Sequence, residues 1–367
     1  MNTKCPPLIF AVAGSGPVAE FHIKTLQKEK KTRVIGICSG NKPRVDALSK
    51  KYDLIQYPSL ADMFKDSRIQ VVDICNSNNN HYLFARKSLE NNRHVLIEKP
   101  VAFSSQHVFE LSETAFKKKL SAGVIFQKRY NRTLKVAKSL IHDEIGEVRV
   151  TQSYVFLPRS ADYFARPEKS VKAIAGGGAL IYQGIHDLDL LVNLFGCVAD
   201  ISGACQNIYY DMEVEDSCIL MLKFQNGVIS NFHVSTAPNY PFLSVHIIIG
   251  KEKFLMMSNE YVHIFPIAYL LKWQNFIKNI TFFDRIWMKL PNFFGGKCLA
   301  RLRTAICNRS INKTACKYFG PFQPATYHHV LKDFLEGIFN PVNQTRASLH
   351  TAVETHRIVE KVYELAL

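Results

Sequence analysis

The 367-residue chain lacks any apolar run of the roughly 18–20 residues that a membrane-crossing helix requires, so no spanning helix is expected. Its start, MNTKCPPLIFAVAGSG, lacks the layout of a signal peptide, because the apolar run is short and leads straight into glycines. CxxC pairs are missing. The nine cysteines are scattered and odd in number, so neither a zinc site nor a disulfide framework is expected, and a reducing cytosol fits best. Internal repeats and low-complexity tracts are missing as well. Acids are scarce: 31 Asp and Glu stand against 46 Lys and Arg, for a formal net charge of +15. Such a charge ordinarily raises nucleic acid or an anionic membrane as partner. Here the excess is local, since residues 261–320 hold ten Lys or Arg and one acid, Asp284.

The composition that remains, 47% hydrophobic and 21% charged, is that of a globular chain long enough for two cores. Over the first 128 residues, short Val- and Ile-rich runs alternate with amphipathic stretches. Leu8–Ala13, Arg33–Cys38, Val71–Cys75, His94–Glu98 and Ala122–Gln127 read as buried parallel strands. Pro17–Lys28, Pro43–Tyr52, His81–Glu90 and Ser104–Lys118 read as the intervening helices. That alternation predicts a doubly wound α/β domain, of the Rossmann kind, over residues 1–128. From 129 to 367 the pattern changes to a helix at Asn131–Asp143 and longer strands at Arg149–Leu157, Cys218–Phe224, Gly227–Ser235 and Ser244–Ile249. A helix from about Gly178 to Phe195 interrupts them, and Asn226-Gly227 signals a hairpin. The expectation is an α+β domain with one large, mainly antiparallel sheet.

Gly14-Ser15-Gly16-Pro17-Val18-Ala19 follows the first strand and opens the first helix. The first glycine permits a tight turn, the second lets backbone approach a pyrophosphate, and the helix N-terminus offers amide donors. Gly14, Gly16, Pro17 and Val18 are therefore candidate cofactor contacts. An adenosine 2′-hydroxyl would call for an acid at the end of the second strand. Ser39 stands there instead, followed by Asn41, Lys42 and Arg44. A hydroxyl with cationic neighbours suits a 2′-phosphate, so NADP is preferred over NAD, with Ser39, Asn41 and Arg44 as its ligands. The alternative is that Lys42 and Arg44 are a solvated helix start.

Two further segments carry chemistry: Asn76-Ser77-Asn78-Asn79-Asn80-His81, and Glu98-Lys99-Pro100. With Gly176-Gly177-Gly178-Ala179-Leu180-Ile181-Tyr182-Gln183-Gly184-Ile185-His186-Asp187-Leu188-Asp189, they make the chain resemble the glucose–fructose oxidoreductase / inositol dehydrogenase / MocA family over about residues 1–260 and 321–367. The resemblance implies a nicotinamide-dependent oxidoreductase acting on a CH–OH carbon of a sugar or sugar nucleotide. It implies that Lys99 sits at the nicotinamide end beside a cis peptide to Pro100, and that His186 is its acid/base partner or holds the substrate hydroxyl. A buried lysine beside a cofactor cation has a lowered pKa and can exchange protons near neutrality. Asn76, Ser77, His81, Glu98 and Arg129 are implied cofactor contacts. Arg159, Tyr163, Lys172, Asp189 and His328 are implied substrate contacts, and no metal ligand is implied.

Two departures stand out. Asn76-Ser77 replaces Thr-Pro, and Tyr182 replaces the usual Asp or Asn four residues before His186. In a continuous helix Tyr182, His186 and Asp189 would share one face, which makes Tyr182 a third catalytic candidate. It cannot supply a fixed negative charge at neutral pH. Two alternatives stay open: a cyclic-polyol or dihydrodiol dehydrogenase, and a cofactor-binding protein that lost catalysis. Residues 267–316 show little family resemblance. They mix lysines and arginines with Trp273, Trp287, Phe293 and Phe294, which fits peripheral contact with an anionic membrane, or packing in a homo-oligomer that otherwise forms through the open sheet. Nucleic acid is disfavoured. A cytoplasmic protein, peripheral to the membrane's inner face through this segment, is expected.

Overall fold

The computed structural model describes residues 6–268, 317–340 and 345–365. Six parallel strands form the first sheet: β1 (Leu8–Ala13), β2 (Thr32–Cys38), β3 (Ile55–Gln56), β4 (Val71–Ile74), β5 (His94–Ile97) and β6 (Ala122–Val124). Their order is β3-β2-β1-β4-β5-β6, so the direction of winding reverses between β1 and β4. The residues of β4 are buried throughout, as a parallel sheet covered on both faces demands. Helices α1 (Pro17–Lys28), α2 (Lys42–Tyr52), α3 (Leu60–Lys65), α4 (His81–Glu90) and α5 (Ser105–Lys117) connect the strands. The sequence reading placed most of these within a residue or two. It passed over β3, which is two residues long and exposed, and α3.

After α6 (Arg132–Leu140), the second sheet takes β7 (Val150–Phe156), then three short helices: α7 (Ala161–Phe164), α8 (Pro167–Ser170) and α9 (Lys172–Ala175). Next come a π-helical turn at Leu180–Gly184 and α10 (Ile185–Phe195). The remaining strands are β8 (Val198–Gln206), β9 (Ser217–Phe224), β10 (Ile229–Ser235), β11 (Leu243–Ile249), β12 (Lys253–Ser258), β13 (Val262–Pro266) and β14 (Lys317–Phe319). They lie in the order β14-β13-β12-β11-β7-β10-β9-β8, and β7–β10 is the parallel pair in an otherwise antiparallel sheet. The expected disulfide-free chain is corrected here: Cys205 on β8 and Cys218 on β9 sit directly opposite one another and are bonded. Register across the sheet, not spacing along the chain, brings them together.

The strands of the first sheet all precede residue 125 and those of the second all follow residue 149, but the helices near the C-terminus pack on both. α11 (Tyr327–Phe339) returns to the first sheet, where Tyr327, Val330, Leu331, Phe334 and Leu335 join the core of Phe10, Val34 and Leu96. Its Phe334 ring fills the space that a side chain at Gly123 would need. α12 (Leu349–Leu365) packs between α5 and β8. Among the described residues, no helix is long and apolar enough to cross a membrane. The aromatic, basic stretch singled out at 267–316 lies almost wholly outside the described residues.

Candidate active site

The reversal between β1 and β4 leaves a crevice at the carboxyl ends of the strands, where open α/β sheets bind ligands. Gly14 turns the chain there with φ +141°, and a Cβ on it would lie 2.5 Å from the Cys75 carbonyl oxygen, so only glycine fits. Gly16 precedes α1 and contributes no side-chain cap, which leaves the first-turn amides for an anion. Pro17 and Val18 are exposed at this helix start. Ser15 and Ser39 hydroxyls meet at 2.9 Å, joining the loops after β1 and β2. Asn41 caps α2 by accepting from the Arg44 amide at 3.2 Å, while the Arg44 side chain is exposed. Asn76 Oδ1 and Gln127 Oε1, after β4 and β6, are buried without hydrogen-bond partners. An uncapped helix start for a pyrophosphate and orphaned acceptors for an amide fit a nicotinamide dinucleotide.

Lys99 follows β5, and its peptide to Pro100 is cis, as the resemblance implied. Lys99 Nζ donates to the Tyr182 carbonyl at 2.5 Å. Burial lowers the pKa of this ammonium; Glu98 opposes the shift and Arg159 adds to it. Its surroundings behind are closed. His81, 1% exposed, places Nδ1 2.6 Å from the Pro100 carbonyl and Nε2 3.1 Å from the Asn76 carbonyl, so it ties the two loops together rather than facing the crevice. Glu98 Oε2 accepts from the Lys99 amide, and Oε1 lies 3.3 Å from His22 Nε2. Burial favours the neutral acid, but the His22 hydrogen bond and charge, with the charge of Lys99, pull the Glu98 carboxyl down to about 2. His22 in turn contacts Asp73 at 3.0 Å and is held protonated despite its burial by the Asp73 and Glu98 carboxylates. The Tyr327 hydroxyl donates to Asp73 at 2.9 Å and its ring stacks on His22 at 3.8 Å. From α12, His356 Nε2 accepts from the Val101 amide and Glu360 from the Ser105 amide, which fixes the segment after Pro100.

His186, the second residue of α10, packs its ring edge-on to Phe126 and feels the charge of Lys99. Its Nδ1 is buried and unpartnered. Burial, then the charges of Lys99 and Lys128, push its pKa well below the ordinary histidine value, so the ring is neutral. The expected single helical face of Tyr182, His186 and Asp189 is corrected by the π-helical turn, which interrupts the helix between the first two. Tyr182 gives its carbonyl to Lys99, and its hydroxyl donates to the Glu168 carbonyl. Burial, Tyr163 and Glu168 raise the phenol's pKa, so its structural place is that of a platform rather than a proton donor. Asp189 and Arg129 form a buried two-pronged ion pair at 2.5 and 2.6 Å, and Arg129 also reaches the Arg346 carbonyl and Thr351. Neither faces the crevice.

Of the other candidates, Arg159 and Tyr163 lie by Tyr182: the Arg159 guanidinium is 5.3 Å from the Tyr163 ring. Lys172 is exposed and borders a separate surface cavity with Gly177, Gln206 and Glu213. The lysine that reaches Tyr182 is Lys169, three residues earlier on α8, with Nζ 3.9 Å from the Tyr182 ring centroid. His328 is half-buried near Glu29, at the far end of α1 from the glycine loop. Its neighbour Tyr327 is the residue in the Lys99 support. Gly178 explains the triple glycine, since a Cβ there would fall 1.8 Å from the Glu215 carbonyl oxygen. Sequence reasoning missed Lys128 and Asp187, whose ammonium and carboxylate lie 2.7 Å apart next to His186, with Ser244 and His246 completing the acid's partners. Lys128 adjoins Arg129 and Asp187 adjoins His186, so a charge adjacent to a candidate was the available signal.

Two family descriptions match the chain: an oxidoreductase family with NAD-binding Rossmann fold over residues 8–126, and a GFO/IDH/MocA C-terminal domain over 133–254. The D-glucoside 3-dehydrogenase of Escherichia coli is 28% identical over 255 residues, covering 64% of this chain and 71% of that protein. An uncharacterized oxidoreductase of Synechocystis is 26% identical over 289 residues, covering 72% and 76%. Among solved structures, the WlbA dehydrogenase of Bordetella pertussis, in complex with NADH and UDP-GlcNAcA, superposes with a TM-score of 0.76. It is 17% identical, with 98% of this chain and 96% of that one covered.

Proposed function

The chain belongs to the GFO/IDH/MocA oxidoreductase family with its NAD-binding Rossmann fold, and we propose that it moves a hydride between a nicotinamide cofactor and a carbinol or keto carbon of a sugar or sugar nucleotide. One observation carries this reading: a half-buried lysine of lowered pKa, Lys99, lies close enough to His186 for its charge to lower that histidine's pKa, and the His186 Nδ1 has no partner. The bound nicotinamide supplies the hydride acceptor or donor. Lys99 takes the proton from the substrate hydroxyl in oxidation and returns it in reduction. His186 holds that hydroxyl. The Tyr182 carbonyl and the Glu98 carboxylate orient Lys99 from either side. The mismatch at Tyr182, which raised the possibility of lost catalysis, leaves Lys99 and His186 in place.

The finer assignments rest on local chemistry. No carboxylate stands at Ser39, and Arg44 is exposed beside it, which supports NADP over NAD. Ile219, Met221 and Ile229 are 52%, 57% and 43% exposed on one face of the eight-stranded sheet, which supports a homo-oligomer through that face. The charge and aromatics of residues 267–316 support contact with anionic lipid. Co-sedimentation with anionic but not neutral vesicles, lost at high salt, is expected; equal binding to both, or to neither, rejects it.

The enzymatic reading is tested on purified protein by titrating NADP and NAD, followed by turnover across neutral, acidic, phosphorylated and nucleotide-linked sugars. Cofactor binding with turnover of at least one sugar class is expected. Failure to bind either cofactor, or turnover of a cyclic polyol or dihydrodiol in place of every sugar, overturns it.

A further inference from the structure

Three cations converge around the two tyrosine rings of the crevice. Lys169 Nζ lies 3.9 Å from the Tyr182 ring centroid and 5.5 Å from that of Tyr163. Lys99 Nζ lies 5.8 Å from the same Tyr182 centroid. Arg159 lies 5.3 Å from the Tyr163 centroid, and its Nε is buried with no hydrogen-bond partner. The Arg159 backbone is fixed at both ends, its amide donating to the Thr236 carbonyl and its carbonyl accepting from the Tyr210 hydroxyl. Among the described residues none of these three cations has a carboxylate at ion-pair distance, although 18 such pairs occur elsewhere.

The nearby acids are already engaged. Glu215 accepts from the Gly178 and Leu180 amides and the Tyr363 hydroxyl. Glu98 is held by His22, and Asp187 by Lys128. Glu168 is exposed and offers Lys169 only a distant opposing charge. Like charges gathered in a partly dehydrated crevice repel one another. Burial, then Lys99, Arg166 and Arg159, bring the Lys169 ammonium down to about 8. An ordinary surface would place a carboxylate here. A guanidinium that meets the Pro158 carbonyl but no carboxylate, and an ammonium resting on two aromatic faces, are instead left to be neutralised by an anion from outside.

We propose that Arg159 and Lys169 form an anion-binding subsite, which selects a sugar substrate bearing a carboxylate or a phosphate close to the carbon that reacts at Lys99. This rests on the oxidoreductase reading and narrows its substrate class. Lys99 and Lys169 flank one tyrosine ring, so the anion and the reacting carbon belong to one substituted sugar ring or to its immediate substituent.

The test uses the full chain loaded with its nicotinamide cofactor. Glucose, glucuronate and glucose 6-phosphate are titrated calorimetrically into wild type, Arg159→Gln, Lys169→Gln, the double variant and Lys169→Arg. At least one anionic sugar binds tenfold or more tighter than glucose, and whichever responds identifies carboxylate or phosphate. The double variant loses that advantage, Lys169→Arg retains most of it, and cofactor affinity, measured on the same samples, stays within about twofold. Equal binding of charged and neutral sugars, no binding of either anionic sugar, or an advantage that survives in the double variant overturns the subsite. Loss of cofactor binding by wild type would instead overturn the oxidoreductase reading itself, so the two failures are distinct.

Discussion

Behind Lys99, toward the six-stranded sheet, charge is abundant and paired: His22 bridges Asp73 and Glu98, Tyr327 donates to Asp73, and His81 and His356 pin the neighbouring backbone. In front of it, polar groups go unpaired: Arg159 Nε, His186 Nδ1, Asn76 Oδ1 and Gln127 Oε1 are buried without partners, and the Lys169 ammonium rests on aromatic faces. Buried polar groups are costly unless satisfied. A folded chain keeps orphaned groups where something else will satisfy them. The satisfied side is therefore scaffold, and the unsatisfied side is where ligands complete the structure.

That contrast can be broken experimentally, beginning with the group on the boundary. Lys99→Ala should lower kcat by about 10²–10⁴ at saturating substrate, with cofactor affinity changed only a few-fold because the glycine loop is untouched. Steady-state kinetics decide it, and a wild-type rate would remove Lys99 from the chemistry. On the scaffold side, Asp73→Ala leaves protonated His22 and the Tyr327 hydroxyl without their acceptor. It should cost about 3–5 kcal/mol of stability, read by urea unfolding, while kcat falls far less than for Lys99→Ala. An unchanged unfolding midpoint would show that the paired side is not scaffold.

Ser39→Asp combined with Arg44→Ala should swing preference from NADP toward NAD by about 10–100-fold, the worth of one charged hydrogen bond. Unchanged relative affinities would place 2′ recognition elsewhere. The smallest effect belongs to pH. Oxidation needs the neutral Lys99 amine, so its rate rises with pH through the lysine's lowered pKa. Arg159 contributes to that lowering and Glu98 opposes it. Arg159→Gln should then move the limb to higher pH, and a limb that stays put or moves down would separate Arg159 from Lys99.

The sequence showed segments better than orientations. Strands β1, β2, β4 and β5 were legible because burial on both faces leaves mostly apolar residues. β8 was not, since most of its residues are exposed and no alternation survives. In the site, Glu98-Lys99-Pro100 and His186 were legible from their motifs. Two candidates that lie apart from Lys99 adjoin residues that the structure brings near it: Lys172 is three residues from Lys169, and His328 follows Tyr327. Arg129 likewise turned into a buried pair while Lys128 approached His186. Spacing rules assume a regular helix, and the π-helical turn at Leu180–Gly184 and the separate short helices α8 and α9 break that regularity. Which side chain of a motif faces the ligand is decided by packing between elements far apart in the chain.

The returning helix α11 ties the cofactor domain to the order of protein synthesis. Strand β6 leaves the ribosome roughly two hundred residues before Tyr327–Phe339, which at about 5–20 residues per second is on the order of 10–40 s. During that interval the socket around Phe10, Leu96 and Gly123 waits for Phe334. The Asp73 carboxylate is equally without its Tyr327 donor. The part of the molecule that is made first is thus completed nearly last. Nascent chains stalled within the intervening sheet carry an open apolar socket on an otherwise formed nucleotide fold, where chaperones can recognise them.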